Sequence, residues 1–92
     1  MKILNLKHDR CGPGTVLVDR STSWGNPYRI GTHGSRAEVI ALYRQHLWQR
    51  IQSGDLDKRQ LQALAGRDLA CWCAPAACHA EVIRSAVRWA CK

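Results

Sequence analysis

The sequence predicts a small α/β domain in which a short three-stranded sheet is flanked by helices, in the order β-β-α-α-β-α. Three short apolar runs indicate the strands, and three segments with apolar residues at helical spacing indicate the helices. With 92 residues, of which 46% are hydrophobic, the chain is long enough for one core and too short for two. We therefore expect a single domain over residues 1–92.

The first two strands are expected close to the N-terminus. Ile3, Leu4 and Leu6 indicate the first strand, and the β-branched residues of segment 15–18 indicate the second, after a turn-rich segment. Their closeness along the chain suggests that they pair as a hairpin. Residues 20–34 are rich in Ser, Thr, Gly, Asn and Pro, which predicts a long irregular loop. Loops of this length inside compact domains are usually functional or disordered.

Two helices are expected in the middle of the chain. Ser35 and Glu38 have the spacing of a capping box, and an apolar face follows as far as Gly54. Asp57 can cap a shorter helix that Gly66 ends. The apolar residues are Val39, Ile40, Tyr43, Leu47 and Ile51 in the first helix and Leu61, Ala63 and Leu64 in the second.

A buried third strand is expected over residues 68–73, followed by a last helix from about Cys78. The residues that this helix should bury are Val82, Ile83, Ala86, Val87 and Ala90. The long connection through helices predicts that the second and third strands are parallel. Their carboxyl ends then bring the Trp24 loop and the segment after Cys73 to one sheet edge, where open α/β sheets bind ligands.

The charge of the chain favours an anionic partner. Fourteen Lys and Arg against seven Asp and Glu give a net charge of +7, which attracts nucleic acid, nucleotides or phosphates. Arg20, Arg29 and Arg36 lie around the Trp24 loop and are the best candidates for anion contacts. Because the basic residues are scattered, an ordinary solvated surface explains them equally well.

The chain is expected to be cytoplasmic and to have no membrane partner. Its first eight residues are too short and polar for a signal peptide, and no apolar run reaches membrane-spanning length. Five cysteines should stay reduced in that compartment, and their odd number argues against a complete disulfide framework. Metal binding, thiol chemistry and simple burial are the alternatives.

A cluster of cysteine and histidine residues is the predicted functional centre. Cys71 and Cys73 should point to one face of the strand and Trp72 to the other, with Cys78 and His79 following after a short gap. Three thiols and an imidazole are a complete ligand set for tetrahedral zinc. Alternatively, Cys78 at a helix start is a nucleophile with His79 or another histidine as proton carrier. Burial of the cysteines as small core residues is the third alternative.

The Trp24 loop is the second candidate feature. Residues 21–28 combine hydroxyl groups, a permissive Gly25, the amide of Asn26 and two aromatic rings, a set that can stack a base or sugar and bind its edge. A tight turn held by an aromatic plug in the core explains the same residues equally well. The ligand-binding residues that we predict are Arg20, Ser23, Trp24, Asn26 and Arg36.

Two short motifs together form a specific pattern. They are Trp-Gly-Asn-Pro-Tyr at residues 24–28 and Cys-Trp-Cys-Ala-Pro at residues 71–75, the second followed by Cys78-His79. Over nearly its whole length the chain resembles the domain of unknown function 4326 family of small bacterial and phage proteins, a resemblance that implies no settled activity. It is more weakly similar to the domain of unknown function 488 family, which has Glu at the position of Cys73. That similarity implies that Cys71, Cys78 and His79 mark a shared site.

Two functions follow from these observations. The first is binding or processing of a nucleotide, nucleoside or nucleic-acid-derived ligand, with the Trp24 loop holding the base or sugar and Cys71, Cys78 and His79 acting as catalytic residues. The alternative is a non-enzymatic module, such as a phage-encoded protein, that binds nucleic acid or a protein partner. In that module a zinc ion would be held by Cys71, Cys73, Cys78 and His79. The sequence leaves open whether the protein is an enzyme.

Overall fold

The computed structural model of the protein describes residues 1–7, 9, 12–19, 21–72 and 78–92. Within these ranges the order of elements is β-β-α-α-β-α, so the predicted α/β class is confirmed. The strands are β1 (Ile3–Asn5), β2 (Val16–Leu17) and β3 (Leu69–Cys71). The helices are α1 (Arg36–Ser53), α2 (Lys58–Gln62) and α3 (Ala80–Ala90).

The three strands form a parallel sheet in the order β1-β3-β2. Leu69 of β3 is in register with Ile3 on one side and with Val16 on the other. The expected hairpin of β1 and β2 is therefore wrong, because β3 lies between them. All three residues of β3 are buried, and the centre of a parallel sheet is where such a continuously apolar strand is covered on both faces. Parallel pairing of β2 and β3 is confirmed, which places their carboxyl ends at one edge.

Helix α1 begins and ends where its local signals predict. The Ser35 hydroxyl accepts a hydrogen bond from the Glu38 N–H (3.3 Å), and the Glu38 carboxylate accepts one from the Ser35 N–H (3.1 Å). Gly54 ends the helix with a φ of 84°, a conformation that favours glycine. The predicted core face is confirmed, since Val39, Tyr43 and Leu47 are buried and Ile40 and Ile51 are partly buried.

The two other helices are shorter than predicted. Asp57 caps α2 as expected, but the helix ends at Gln62, and only Leu61 and Leu64 of its three predicted core residues are buried. Helix α3 starts two residues after Cys78, because His79 is its N-cap. All five residues predicted to face the core from α3 are buried. No helix in the described part of the chain is long and apolar enough to span a lipid bilayer.

The hydrophobic core fixes the carboxyl edge of the sheet beside the start of α3. Helix α3 contacts α1, α2 and β3, and the core includes Cys71 and Cys78 together with Tyr43 of α1 and Val18 after β2. These four residues are at most 2% exposed. The ends of β2 and β3 and the beginning of α3 are therefore held in one rigid corner of the fold.

Candidate functional site

A cavity of about 280 Å³ opens at the carboxyl ends of β2 and β3. Its walls come from the segment after β2, from the long loop, from the first turns of α1 and from the β3-to-α3 junction. The structure thus brings the Trp-Gly-Asn-Pro loop and the Cys/His cluster to the same sheet edge. The lining residues are Asp19, Ser21, Asn26, Tyr28, Ile30, Arg36, Val39, Ile40, Cys71, Trp72, Cys78 and His79.

Cys71, Cys78 and His79 meet on one side of this cavity. Cys71 is the last residue of β3, and Cys78 and His79 directly precede α3. The two sulfur atoms are 3.0 Å apart, which is longer than a disulfide bond of about 2.05 Å. The Sγ atom of Cys78 also lies 3.4 Å from Nδ1 of His79. All three residues are buried, so these contacts form in a site of low dielectric.

The backbone determines which nitrogen of His79 carries the proton. Nε2 of His79 contacts the carbonyl oxygen of Val18, and a carbonyl oxygen only accepts hydrogen bonds. Nε2 therefore carries a hydrogen and donates it, so that in the neutral form of the ring the Nδ1 lone pair is directed at Cys78. The ring of Tyr43 supports the imidazole edge-on, with ring centroids 4.9 Å apart. His79 is thus oriented to accept the thiol proton of Cys78, the geometry of an activated nucleophile.

Asp19 adds a carboxylate to the lining of the same cavity. One of its oxygens accepts hydrogen bonds from the hydroxyl and the N–H of Ser21, and the other accepts one from Nε1 of Trp72 at 3.2 Å. The hydrogen bond from the Ser21 hydroxyl is the main reason that the pKa of Asp19 lies below its ordinary value. The carboxylate is therefore ionised at neutral pH, and it fixes an indole ring that is 60% exposed.

Trp24 is partly buried and lies between the long loop and the core. Its ring packs against the core, and its carbonyl accepts a hydrogen bond of 2.8 Å from the Tyr43 hydroxyl. Asn26 is buried beside it, donating to the Val39 carbonyl (3.3 Å) and accepting from the Tyr28 N–H (2.9 Å). The loop is thereby attached to α1, and these bonds hold its shape around the cavity.

The predicted ligand-binding residues are only partly gathered at this cavity. Asn26 and Arg36 line it. Ser23 and Trp24 are not among the described residues of its wall, and the Ser23 carbonyl accepts a hydrogen bond from Arg50 instead. Arg20 and Cys73 lie outside the described residues. Sequence reasoning missed Asp19, although its position directly after a strand at the predicted ligand edge is a signal that points to it.

The predicted zinc ligands place three donor atoms near one another. Zinc bound by two thiolates holds the sulfurs about 3.8 Å apart, given Zn–S bonds of about 2.3 Å and tetrahedral angles. The sulfurs of Cys71 and Cys78, at 3.0 Å, would have to separate to bind one ion together. Across the ranges that the structure describes, no group of three or more His, Cys, Asp or Glu is arranged to hold a metal. With Cys73 outside those ranges, the four-ligand zinc site stays a prediction.

Fold and site together define a small parallel α/β domain with a buried Cys-His pair at the carboxyl edge of its sheet. The chain belongs to the family described as Domain of unknown function (DUF4326), whose model matches residues 4–89. It is 40% identical over 68 residues to a protein of Enterobacteria phage T4, "Uncharacterized 12.4 kDa protein in nrdA-td intergenic region". The match covers 74% of this chain and 62% of that relative, which is less than two thirds of its length. No solved structure matches the chain.

Proposed function

We propose that this protein binds a nucleotide, a nucleoside or a related nucleic-acid-derived ligand in the cavity at the sheet edge, and that Cys78 acts on it as a nucleophile. The observation that carries the proposal is the shared cavity, whose lining includes the Cys78–His79 pair, Asp19 and Arg36. A volume of about 280 Å³ is close to the lower limit of small-molecule sites. That size favours a ligand on the scale of a base or nucleoside.

The polar groups of the cavity complement different parts of a nucleotide. The ionised Asp19 accepts hydrogen bonds, as the hydroxyls of a sugar or the amino group of a base require. The guanidinium of Arg36 matches a phosphate, and the net charge of +7 raises the local concentration of anions. Tyr28 and Trp72 add aromatic surface on which a base can stack.

The Cys78–His79 pair supplies the chemical step of the proposal. The thiol proton of Cys78 moves to Nδ1 of His79, and Sγ attacks an electrophilic carbon of the ligand. A sulfur–carbon bond forms, the bond from that carbon to its leaving group breaks, and the proton held by His79 passes to the leaving group. Attack of water on the same carbon then releases the product and returns a proton to the thiolate.

Calorimetric titration of the reduced protein with adenosine, uridine and their monophosphates tests the binding step. We expect the monophosphates to bind more tightly than the nucleosides. Arg36→Gln should lower the affinity for the monophosphates about 10-fold or more, because a charge-assisted hydrogen bond is lost. Asp19→Asn should weaken the binding of nucleosides and of monophosphates to the same extent. Arg44→Gln, an exposed change on the same helix, is the matched control. No binding by any of the four compounds at millimolar concentration would contradict the proposal.

The chemical role is tested with any compound that the titration identifies. Cys78→Ala should retain binding and lose turnover, whereas Cys91→Ser, at an exposed residue beyond α3, should change neither. His79→Gln should slow turnover by about 100-fold or more, the usual contribution of a positioned acid–base group. Full turnover in Cys78→Ala would show that the cavity binds the ligand without cysteine chemistry.

A zinc-stabilised module that binds nucleic acid or a protein partner is the second candidate function. It is favoured by the closeness of two thiols and an imidazole nitrogen at the end of β3. Metal analysis of the freshly purified protein, together with thermal melting in the presence of a chelator, tests it. Stoichiometric zinc and a lower melting temperature with chelator would support this candidate, and a metal-free protein with an unchanged melting temperature would refute it.

A further inference from the structure

We propose that Cys71 and Cys78 form a redox-active dithiol, which exchanges with small disulfides and closes reversibly into an intramolecular disulfide bond. Their sulfurs are 3.0 Å apart, so a displacement of about 1 Å brings them to the bond length of about 2.05 Å. Cys71 ends the central strand and Cys78 precedes α3, and both belong to the core cluster. The fold therefore holds the two thiols together whatever ligand the cavity binds.

The cavity determines which reactants reach the dithiol. Cys71 is 1% exposed and Cys78 is 2% exposed, so the sulfurs are inaccessible to a disulfide on the surface of another folded protein. Both residues nevertheless line the cavity, which admits a compound of a few atoms on each side of its sulfur–sulfur bond. The chemical class of the oxidant is therefore a small aliphatic disulfide.

Exchange proceeds in two steps. Cys78, having passed its proton to Nδ1 of His79, attacks one sulfur of the small disulfide, whose S–S bond breaks as a bond to Cys78 forms. The departing thiolate takes the proton from His79. The sulfur of Cys71 then attacks Cys78, releasing the second small thiol, which leaves with the Cys71 proton. Overall, two protein thiols are oxidised to one disulfide and one small disulfide is reduced to two thiols.

Mass spectrometry of the full chain tests this proposal. The reduced protein is incubated with hydroxyethyl disulfide, its remaining thiols are blocked with N-ethylmaleimide, and its peptides are mapped. We expect Cys71 and Cys78 to escape blocking and their peptides to be joined, with a mass two hydrogen atoms below that of the two reduced peptides. The same linkage should form in Cys91→Ser, because Cys91 is exposed and lies beyond α3.

Two variants separate the steps. Cys71→Ser should stop at a stable hydroxyethyl adduct on Cys78, because the second thiol is missing. In that background His79→Gln should slow adduct formation by roughly tenfold or more, because the proton acceptor is lost. If His79 had only a structural role, the rate of adduct formation should be the same in both variants.

The peptide map of the oxidised wild-type protein decides the proposal even if a variant fails to fold. A linkage from Cys78 to Cys73, a wild-type protein that keeps the hydroxyethyl adduct on Cys78, or a Cys78 that does not react would overturn it. The outcome is distinct from that of the nucleotide titration, which uses reduced protein. A chain that binds no nucleotide is still expected to form this disulfide, and one that binds nucleotide without forming it would refute only the dithiol.

Discussion

Replacing Tyr43 with Phe removes one hydroxyl group from the junction between α1 and the Trp24 loop. Tyr43 is 1% exposed, and its hydroxyl donates a hydrogen bond of 2.8 Å to the Trp24 carbonyl. Phenylalanine keeps the ring and its edge-on contact with His79. The substitution therefore tests a single hydrogen bond and leaves the packing of the core in place.

The expected loss of stability follows from the burial of this bond. A hydrogen bond contributes about 1 kcal/mol net, and up to about 3 kcal/mol is lost when the remaining partner stays buried without water. A chain of this size loses about 4–8 °C in melting temperature for each kcal/mol. We therefore expect Tyr43→Phe to melt at least about 4 °C below the wild type at neutral pH, measured by circular dichroism.

The alkaline pH dependence gives this variant a second measurement. Burial raises the pKa of Tyr43 above its ordinary value of 10.0, so the hydroxyl ionises more readily in the unfolded chain than in the folded one. The stability due to this shift is complete below pH 10 and falls as the pH rises toward the folded pKa. Tyr43→Phe should lose less stability than the wild type as the pH rises, so the melting temperatures of the two proteins should converge above pH 10. Equal melting temperatures at neutral pH would refute this reasoning. So would melting temperatures that fall in parallel for the two proteins above pH 10.

Three further outcomes are expected. Tryptophan fluorescence of the wild type should show an acid transition below pH 3.8 that Asp19→Asn lacks, because the depressed pKa of Asp19 keeps its bond to Trp72 until the pH falls through the folded value. Ser35→Ala should lower the free energy of unfolding in urea by about 1 kcal/mol, because it removes the α1 cap. Leu47→Ala should cost about 2–5 kcal/mol in the same assay, whereas the exposed Leu17→Ala should cost under about 1 kcal/mol.

The helices were predictable because their signals are local. The capping box of Ser35 and Glu38 lies within four residues, and the apolar face of α1 repeats along one segment. Strand order was not predictable in this way. Nothing in residues 3–18 indicates that β3, more than fifty residues later, will lie between β1 and β2, because that order depends on which strand is buried on both faces.

The location of the site was predictable, whereas its contacts were not. Parallel strands joined through helices place the loop after β2 and the Cys/His segment at one edge, as observed. Adjacent residues within a helix diverge by about 100°, so the sequence left open whether His79 or another histidine contacts Cys78. The structure places Sγ of Cys78 3.4 Å from Nδ1 of His79, a distance that helical spacing does not specify. The bond between Asp19 and Trp72 joins residues 53 positions apart, a pairing that no local pattern indicates.

Strand pairing also sets the chemistry of His79. The Val18 N–H donates to the Ala70 carbonyl of β3, which fixes the Val18 peptide, and its carbonyl receives Nε2–H of His79 beyond the end of the ladder. A backbone N–H at this point would require Nε2 to be an acceptor, and Nδ1 would then carry the proton and could not accept one from Cys78. The register of β2 against β3 is therefore part of the site. Changes in the loop that leave this register intact should preserve the orientation of the Cys78–His79 pair.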